Sequence, residues 1–536
     1  MTKLVKWPLF LFLLTSLIAA EAQIITAASC NASDVQTALN SVAADGTTVV
    51  IPSGTCTWTT TVTYSAAHSV IITGATTITG TCPPAGPSAG TCTASDSTVI
   101  IDNLNRSSQD NPGLVISTTA GKSVRLTGIT FEMSLSSSNN TYNGAIAVNG
   151  NSTSVRVDHN HFYQQCSTSF SIDVATGVFD HNLWEAPNFS NCVWNGVRFH
   201  RTGVTNDTLG EGDISWTQTA GFGGSSYVFV ENNWMEYNFS TGSGGNVIHN
   251  AEGNDCDRGG KFVWRYNYMY NIWLQTHGTG SGDGRLRGCR AAELYNNTYT
   301  GQNSGSNFDA WADTTGSGLV WGNTVTNAYN SFLTLHIPRR TNSPYTQQAT
   351  PNGWGYCGTT QTGTGSNWDE SASTSTGYAC LDQIGRGAGD LINNAFPNAT
   401  NAATGCTSSS ACAWPRQASE PLYIWGNSAN PYQNNYILLY DQAITQNVDY
   451  YTDQGASCSG SSCTTGIGSG TTLPTSCTTG VGFWNTSTST LYTCTSTNTW
   501  TSYYTPYTYP HPLTQSATGS TGTPPPPPTG LQAVVN

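Results

Sequence analysis

Short apolar segments that alternate with polar residues recur along most of the chain. Seven of them run into an asparagine that is followed closely by another apolar or aromatic residue. The copies are VRVDHNHFY, GVFDHNLWE, VFVENNWME, FVWRYNYMY, AELYNNTYT, GLVWGNTVT and LYIWGNSAN, with their asparagines at Asn160, Asn182, Asn233, Asn267, Asn297, Asn323 and Asn427. Period-two alternation with many Val, Phe, Trp and Tyr residues predicts strands, not helices.

The spacing of the seven copies predicts a solenoid. Five of the six intervals between successive asparagines fall between 22 and 51 residues. Repeats of roughly 20–50 residues are typical of folds in which each repeat buries its apolar face on its neighbours. An asparagine at one fixed turn position can hydrogen-bond to its equivalents in the coils above and below. An ordinary β-sandwich with asparagine-rich turns is the alternative, but seven copies in one phase favour an all-β parallel β-helix.

The N-terminal 22 residues have the features of a signal peptide. Lys3 and Lys6 precede an apolar run, and an A-x-A cleavage site stands directly before Gln23. This pattern predicts a secreted, extracellular or cell-surface protein. A membrane anchor is the alternative, but the apolar run is short for a bilayer span, and we expect no span in the mature chain.

Composition divides the remainder of the chain. Ser33 stands directly before DVQTALNSV, where it can cap a short helix with Asp34 in its first turn. This helix should cover the open end of the first coil. Residues 524–528 are five prolines, which form a stiff extended spacer. The predicted organisation is a β-helix over 23–450 with a loop-rich insertion at 341–420, a Cys- and aromatic-rich cap at 451–515, a Pro-rich linker at 516–530, and the start of a truncated sandwich-like domain at 531–536.

Sixteen cysteines agree with an exported protein. They form neighbouring couples, and no zinc-like spacing is present. The sequence leaves the connectivity open, and nearest-neighbour pairing is the simplest disulfide framework. The couples are Cys30 with Cys56, Cys82 with Cys92, Cys166 with Cys192, Cys256 with Cys289, Cys357 with Cys380, Cys406 with Cys412, Cys458 with Cys463, and Cys477 with Cys494.

The repeated asparagine steps, the Gly/Ser/Thr-rich loops and the secreted character resemble the right-handed parallel β-helix proteins of the pectate-lyase-like superfamily. The resemblance covers about residues 45–440. It implies a right-handed coil and an extracellular protein that acts on polysaccharide. A net charge of −13 with only 9% charged residues argues against a nucleic-acid partner, and a monomer is expected.

Charged residues concentrate in one window. Six of the 18 basic residues fall between 258 and 290, and six acidic or histidine residues lie in or beside the same window. Such convergence is typical of an acid–base site, but a buried ion-pair network clamping the Cys256 and Cys289 coils is the alternative. The residues are Arg258, Lys261, Arg265, Arg285, Arg287 and Arg290, with Glu252, Asp255, Asp257, His277, Asp283 and Glu293.

The window resembles the chondroitinase-B and alginate-lyase family, in which carboxylates precede a catalytic lysine and a His-Gly step follows one coil later. The resemblance implies β-elimination of a uronate glycan, in which cations neutralise the substrate carboxylate and a base removes the adjacent proton. Thr276 stands where that family has an arginine, so Arg285 or Arg287 would substitute for it. The assignments are Lys261, His277, Arg285 and Arg287 as catalytic, Arg265, Arg290, Trp273 and Glu293 as substrate-binding, and Glu252, Asp255 and Asp257 as calcium ligands.

Two other functions stay open at this point. Asp309 and Asp313 beside Trp311 are the nearest approach to the paired carboxylates of a polygalacturonase-like hydrolase. A non-catalytic carbohydrate-binding or adhesive solenoid would use the 16 Trp and 25 Tyr residues as sugar platforms, although most of these aromatic residues should fill the coil interior.

Overall fold

In a computed structural model, the chain forms a right-handed parallel β-helix, as the repeat pattern predicted. Each coil passes in turn through three sheets, which enclose a continuous apolar core. The structure describes residues 23–80, 92–105, 112–134, 145–163, 168–187, 195–203, 216, 218–238, 252–277, 288–300, 309–326, 331–336, 384–387, 418–429, 435–439 and 444–515.

Sheets 1 and 2 are parallel and continuous. Sheet 1 has twelve strands: Ile24–Thr26, Thr47–Val50, Val70–Thr73, Val124–Thr127, Val155–Asp158, Gly177–Asp180, Val228–Glu231, Lys261–Arg265, Ala291–Tyr295, Ser317–Trp321, Leu422–Trp425 and Tyr450–Thr452. Sheet 2 has ten strands: Gly54–Trp58, Thr98–Asp102, Thr130–Met133, His161–Tyr163, Leu183–Pro187, Trp234–Asn238, Tyr268–Tyr270, Thr298–Thr300, Thr324–Val325 and Ser428–Ala429.

Sheet 3 has two sections that meet where Glu252 bridges to Trp273. Its first six strands are Val62–Ser65, Leu114–Thr118, Ile146–Gly150, Thr168–Asp173, Asn195–His200 and Glu252–Cys256. Its last four are Leu274–Gln275, Asp309–Asp313, Ser331–Leu335 and Asn435–Leu439. An antiparallel hairpin of Thr77–Gly80 and Cys92–Ser95, and the two-stranded pair Arg386–Gly387 and Ala418–Ser419, lie outside the three sheets.

The asparagines form the predicted single column, at the turn between sheets 1 and 2. The backbone N–H of each of the first six asparagines, from Asn160 to Asn323, donates to the side-chain oxygen of the next asparagine in the column. These bonds are 2.9–3.0 Å long, and the last acceptor is Asn427. The residue before each ladder asparagine has a left-handed backbone, with φ between 54° at His159 and 66° at Gly322. This turn therefore repeats with one geometry through seven coils, which aligns the flanking strands in register.

The N-terminal helix was predicted correctly, but its cap was not. The helix spans Ala32–Asn40, and Asn31 occupies the N-cap position, so Ser33 lies inside the first turn. Val35, Ala38 and Leu39 face the core of the first coils. The helix thus covers the apolar end of the solenoid.

The C-terminal region packs against the outer face of sheet 1. Its strands are Ser457–Ser459, Ser462–Thr465, Ile467–Gly470, Ser476–Cys477, Gly482–Asn485, Thr490–Ser496 and Thr499–Tyr504, and a short helix follows at Pro512–Gln515. Ile467, Leu491 and Tyr504 share an apolar cluster with Tyr423 and Trp425 of sheet 1. The chain beyond Tyr504 then runs back over earlier coils of the same sheet, where Leu513 packs with the Val178 cluster.

Four of the predicted nearest-neighbour disulfides are present, namely Cys30–Cys56, Cys256–Cys289, Cys458–Cys463 and Cys477–Cys494. Cys92 is also disulfide-bonded. The other seven cysteines lie outside the described residues, as do residues 1–22, the linker at 516–530, residues 531–536 and most of the predicted insertion at 341–420. In the part of the chain that the structure describes, no helix is long and apolar enough to cross a membrane.

Candidate functional site

The charged window divides between two surfaces of the solenoid. In the strand Lys261–Arg265, Phe262 and Trp264 point into the core, so Lys261 and Arg265 lie on the outer face of sheet 1. Asp255 and Asp257 instead lie near the end of a sheet 3 strand, where the chain turns towards sheet 1. Side chains that are close in sequence therefore have different surroundings.

Arg265 is a structural anchor, and its predicted role in substrate binding is not supported. The residue is fully buried, and its guanidinium pairs with Glu231 at 2.5 Å. It also donates to the backbone oxygens of Tyr507 and Thr508 at 2.8 and 2.9 Å. Burial opposes the charge of Arg265, but Tyr295 and Glu231 outweigh it and raise its pKa. A substrate could reach this group only by displacing the C-terminal segment.

Arg290 and Glu293 lie under the same cover. Arg290 pairs with Glu420 at 2.5 Å and donates to Gln218 O at 2.8 Å. Glu293 accepts from Gly223 N at 2.7 Å, and burial raises its pKa to about 7. Both side chains fasten the segment around residues 218–223 to the outer face of sheet 1, so the contacts that the structure gives them are structural.

Trp273, predicted to bind substrate, lies in the coil interior. It is 7% exposed and belongs to the core cluster together with Ile272 and Leu274. Its ring therefore fills the coil interior and offers no platform to a sugar.

The part of the window on sheet 3 lies beside charged residues of the preceding coil. Strands Asn195–His200 and Glu252–Cys256 pair in parallel, with Arg198 opposite Asp255. The Arg198 guanidinium binds the Asp255 carboxylate at 2.7 Å. We call this cluster the sheet 3 corner, and it comprises Arg198, His200, Arg201, Asp255, Asp257 and Arg258.

A histidine–aspartate pair lies at the centre of the sheet 3 corner. Nε2 of His200 is 2.7 Å from Oδ1 of Asp257, and 11% of the His200 side chain is exposed. If Nε2 carries the proton toward Asp257, Nδ1 keeps a lone pair that can accept another proton. Asp257 is fully buried, and its carboxylate lies against the ring of His200.

Two arginines flank this pair in unusual backbone conformations. Arg201 and Arg258 occupy equivalent positions in neighbouring coils, joined by a hydrogen bond from Arg201 N to Arg258 O at 3.0 Å, and their φ angles are 42° and 52°. Left-handed arginine is uncommon, and such strain clusters at functional sites. Arg201 is engaged with both oxygens of Asp173, whereas Arg258 Nε lies 3.9 Å from Asp257, beyond hydrogen-bond length.

Close packing positions the turn of residues 256–260, which contains Asp257 and Arg258. Gly260 follows Arg258 and Gly259, and a side chain at Gly260 would meet the Phe199 carbonyl oxygen at 2.5 Å. The Cys256–Cys289 disulfide joins the turn to the next coil. Together these features hold the turn from residue 256 to residue 260 close against the His200 coil.

The structure brings four predicted residues to this region. Asp255 and Asp257 belong to the corner, and His277 lies one coil further, with its backbone N–H on Cys256 O at 2.8 Å. Lys261 begins the sheet 1 strand that follows the corner, with Nζ 5.1 Å from the centre of the Tyr227 ring. Arg285 and Arg287 lie outside the described residues.

The carboxylates do not fit the expected calcium site. Asp255 is paired with Arg198 and Asp257 with His200, while Glu252 is buried where its strand bridges to Trp273. Calcium requires about six to eight oxygen ligands. Among the described residues, no group of three His, Cys, Asp or Glu side chains is placed to hold a metal ion. The reaction proposed for this protein uses no metal ion.

The carboxylates considered for a hydrolase are also badly spaced. Asp309 and Asp313 are the two ends of one strand. Four residues at about 3.3 Å each separate their Cα atoms by about 13 Å, whereas paired glycosidase carboxylates lie about 5–9.5 Å apart. Asp313 is buried against Thr276, and burial raises its pKa to about 7. This pair therefore gives no support to a hydrolase.

A further ionic cluster, not anticipated from the sequence, lies on the outer face of sheet 2. Nδ1 of His161 contacts Asp96 and Nε2 contacts Glu185, both at 2.8 Å. Burial alone would lower the pKa of His161, but these two hydrogen bonds outweigh it and raise the pKa to about 9. His161 is therefore a cation at neutral pH and cannot serve there as a general base.

The main residues missed by the sequence reasoning are Arg198, His200 and Arg201. They stand in NGVRFHRTG, where Val197 and Phe199 alternate with two charged or titratable residues in a strand. That alternation predicts Arg198 and His200 on the face of the strand that points away from the core. Their pairing with Asp255 and Asp257, 57 residues further along in each case, depends on how many residues the coil between them contains.

Comparison with known proteins gives little further guidance. No protein-family model and no curated protein matches the chain. Among solved structures, the alginate lyase from Paenibacillus sp. str. FPU-7 is similar with a TM-score of 0.31 and 13% identity, over 58% of this chain and 99% of that chain. Geobacillus virus E2 ORF18 has a TM-score of 0.31 and 12% identity, over 58% of this chain and 55% of that chain. Likenesses of this size carry no argument about function.

Proposed function

We propose that this protein is a secreted polysaccharide lyase that cleaves a uronate-containing glycan by β-elimination at the sheet 3 corner. The observation that carries the proposal is the His200–Asp257 pair with Arg258 beside it. A base and a cation at one position are the two groups that this reaction needs.

Each group has a defined task. Arg258 has 29% of its side chain exposed and is available to bind the substrate carboxylate, which makes the proton on the adjacent carbon more acidic. His200 removes that proton through Nδ1. The electron pair of the broken C–H bond forms a carbon–carbon double bond, and the glycosidic C–O bond on the next carbon breaks.

The proton balance closes on the same residue. The imidazolium formed on His200 is stabilised by Asp257, and it returns the proton to the leaving glycosidic oxygen. The products are one chain with a new reducing end and one with an unsaturated uronate. No oxidant, reductant or water molecule is consumed.

Lys261 is the competing candidate for the base. A lysine serves as a base when neighbouring cations or burial depress its pKa. Its Nζ lies over the Tyr227 ring on the outer face of sheet 1, one step beyond the corner. His200 is the better candidate because the Asp257 carboxylate lies 2.7 Å from its ring and Arg258 lies beside the pair.

The test is an assay on three acidic glycans. The full chain is incubated with alginate, pectate and chondroitin, and the ultraviolet absorbance of an unsaturated product is followed. His200→Ala should lower kcat by about 100- to 10,000-fold. The matched control His68→Ala, on the surface near Asp45, should leave it unchanged.

The outcomes separate the assignments. Absence of unsaturated product on all three glycans would contradict lyase activity and favour a binding solenoid. Loss of activity in Lys261→Ala but not in His200→Ala would move the base to Lys261. Lys122→Ala, a surface lysine paired with Asp45, controls for the loss of a positive charge.

A further inference from the structure

An open cleft of about 550 Å³ lies between the outer face of sheet 1 and the C-terminal strands. We call it the C-terminal cleft. It belongs to a different face of the solenoid from the sheet 3 corner, and the proposed reaction does not use it. Its volume falls within the range of about 300–1,000 Å³ that is typical of small-ligand sites. Its described lining residues include Thr219, Glu420, Tyr423, Asn447, Tyr451 and Tyr503.

Three tyrosines form the apolar wall of the C-terminal cleft. The Tyr423 and Tyr451 rings are stacked with centroids 5.3 Å apart, and Tyr503 meets Tyr423 at 5.6 Å in a tilted arrangement. The hydroxyl of Tyr423 donates to Gly480 O at 2.8 Å, which fixes its ring. Tyr423 and Tyr451 are only 3% and 5% exposed and support the partly exposed Tyr503, whose ring can pack against the C–H face of a sugar at little entropic cost.

Polar groups lie at the rim of the C-terminal cleft. The side-chain oxygen of Asn447 accepts from Gly466 N at 2.7 Å, so the amino group is the end that can donate to a ligand hydroxyl. Asn447 has a left-handed backbone with φ of 65°. Thr219 and Thr479 add exposed hydroxyl groups to the same rim.

The charged residues that line the C-terminal cleft indicate whether its ligand is charged or neutral. The only acidic residue in the described lining is Glu420, and Arg290 pairs with it at 2.5 Å while Ala220 N donates to it at 3.0 Å. No lysine or arginine is among the described lining residues. A uronate or sulfate group would therefore lose its hydration here without gaining a cation.

We infer that the C-terminal cleft is a carbohydrate-binding site for an uncharged polysaccharide chain. One sugar ring packs on Tyr503, and its hydroxyls bond to Asn447 and the rim threonines. The site is separate from the sheet 3 corner and would hold the protein on a neutral glycan whether or not the corner is catalytic.

Affinity electrophoresis of the full chain tests this inference. The gels contain a mixed-linkage β-glucan, a galactomannan, an arabinoxylan or alginate. We expect retardation by at least one neutral glycan, and at least a tenfold loss of affinity in Tyr503→Ala. Asn447→Gly should lose affinity similarly and keep the fold, because glycine adopts the left-handed backbone without strain.

Two controls make the result specific. Tyr492→Ala removes a tyrosine from the strand that contributes Thr493 and Cys494 to the lining, and Tyr492 itself is not among the described lining residues. It should bind as the wild type does, and so should His200→Ala, whose site is elsewhere.

Three outcomes would overturn the inference. The first is that none of the three neutral glycans retards the wild type. The second is that Tyr503→Ala and Asn447→Gly bind as strongly as the wild type. The third is that these variants lose binding to alginate alone, which would assign an acidic ligand to the cleft.

Discussion

Asn233 links three consecutive coils through one short side chain. Its amide nitrogen donates to Phe179 O of the preceding coil at 2.9 Å, to Glu231 O at 3.0 Å and to Oδ1 of Asn267 in the next coil at 3.0 Å. Its oxygen accepts from Asn182 N at 2.9 Å. All of these groups are buried. Without the asparagine, backbone groups would stand in apolar surroundings with no hydrogen-bond partner, which costs about 1–3 kcal/mol for each.

The ladder should therefore be most sensitive to mutation in its middle. We expect Asn233→Ala to lower the free energy of unfolding by on the order of 3 kcal/mol or more. Asn427→Ala, at the partly exposed end of the ladder, should lose less than half as much. Denaturant unfolding followed by circular dichroism compares the two, and equal losses would contradict a cooperative column.

At the scale of elements, pairing between neighbouring strands brings together charged residues that belong to different strands. His161 meets Glu185 because its strand pairs in register with Leu183–Pro187, and it meets Asp96 because the strand Thr98–Asp102 begins just after that residue. The raised pKa of His161, about 9, therefore results from three separate segments.

This cluster predicts a pH-dependent contribution to stability. The pKa of His161 in the folded state lies above its unfolded value of about 6.5. The contribution is therefore fully present below about pH 6.5 and is lost as the pH rises through about 9. Thermal midpoints between pH 6 and pH 10 should show the difference between wild type and His161→Gln shrinking as the pH rises.

The partner carboxylate provides the control for that measurement. Asp96→Asn should reduce the same pH-dependent difference, because it removes one of the two hydrogen-bonded charges that raise the pKa of His161. A difference between wild type and His161→Gln that stays constant over this range would contradict the assignment.

At the scale of the whole molecule, the C-terminal segment covers sheet 1. Beyond Tyr504 it contacts successive earlier coils, with Tyr507 against Phe229, Tyr509 against Tyr266, and Leu513 O near Arg156 at 3.4 Å. Arg265 and Glu231 lie beneath it, and His511 N donates to Glu231 at 2.8 Å. The basic window is in this part a buried ion-pair network, but it fastens the C-terminal segment and not the Cys256 and Cys289 coils.

Arg265→Met should therefore affect stability and not catalysis. Removal of one partner from a buried ion pair costs about 3–5 kcal/mol, because Glu231 is left buried without its cation. We expect a lower thermal midpoint and an unchanged kcat/KM per folded molecule. The double variant Arg265→Met with Glu231→Gln should recover part of the midpoint. A loss of kcat/KM at full stability would return Arg265 to the substrate site.

The sequence by itself determined the features that depend on short-range or repeated patterns. Strand alternation and the asparagine phase predicted the parallel β-helix and the single column of seven asparagines, because each coil repeats one local geometry. The Cys30–Cys56 and Cys477–Cys494 pairings also followed from proximity along the chain. The cap of the first helix was wrong by two residues, since Asn31 and Ser33 are both good capping residues.

Only the tertiary structure decided which charged residues are accessible. Arg265 is buried by backbone atoms 242 and 243 residues away, and a local pattern contains no information about such a contact. His200 and Asp257 meet because the coil between them closes at one particular length and brings two strand ends to the same corner. The physical reason is that stacking follows from a repeated strand pattern, whereas exposure depends on which distant segment covers each face.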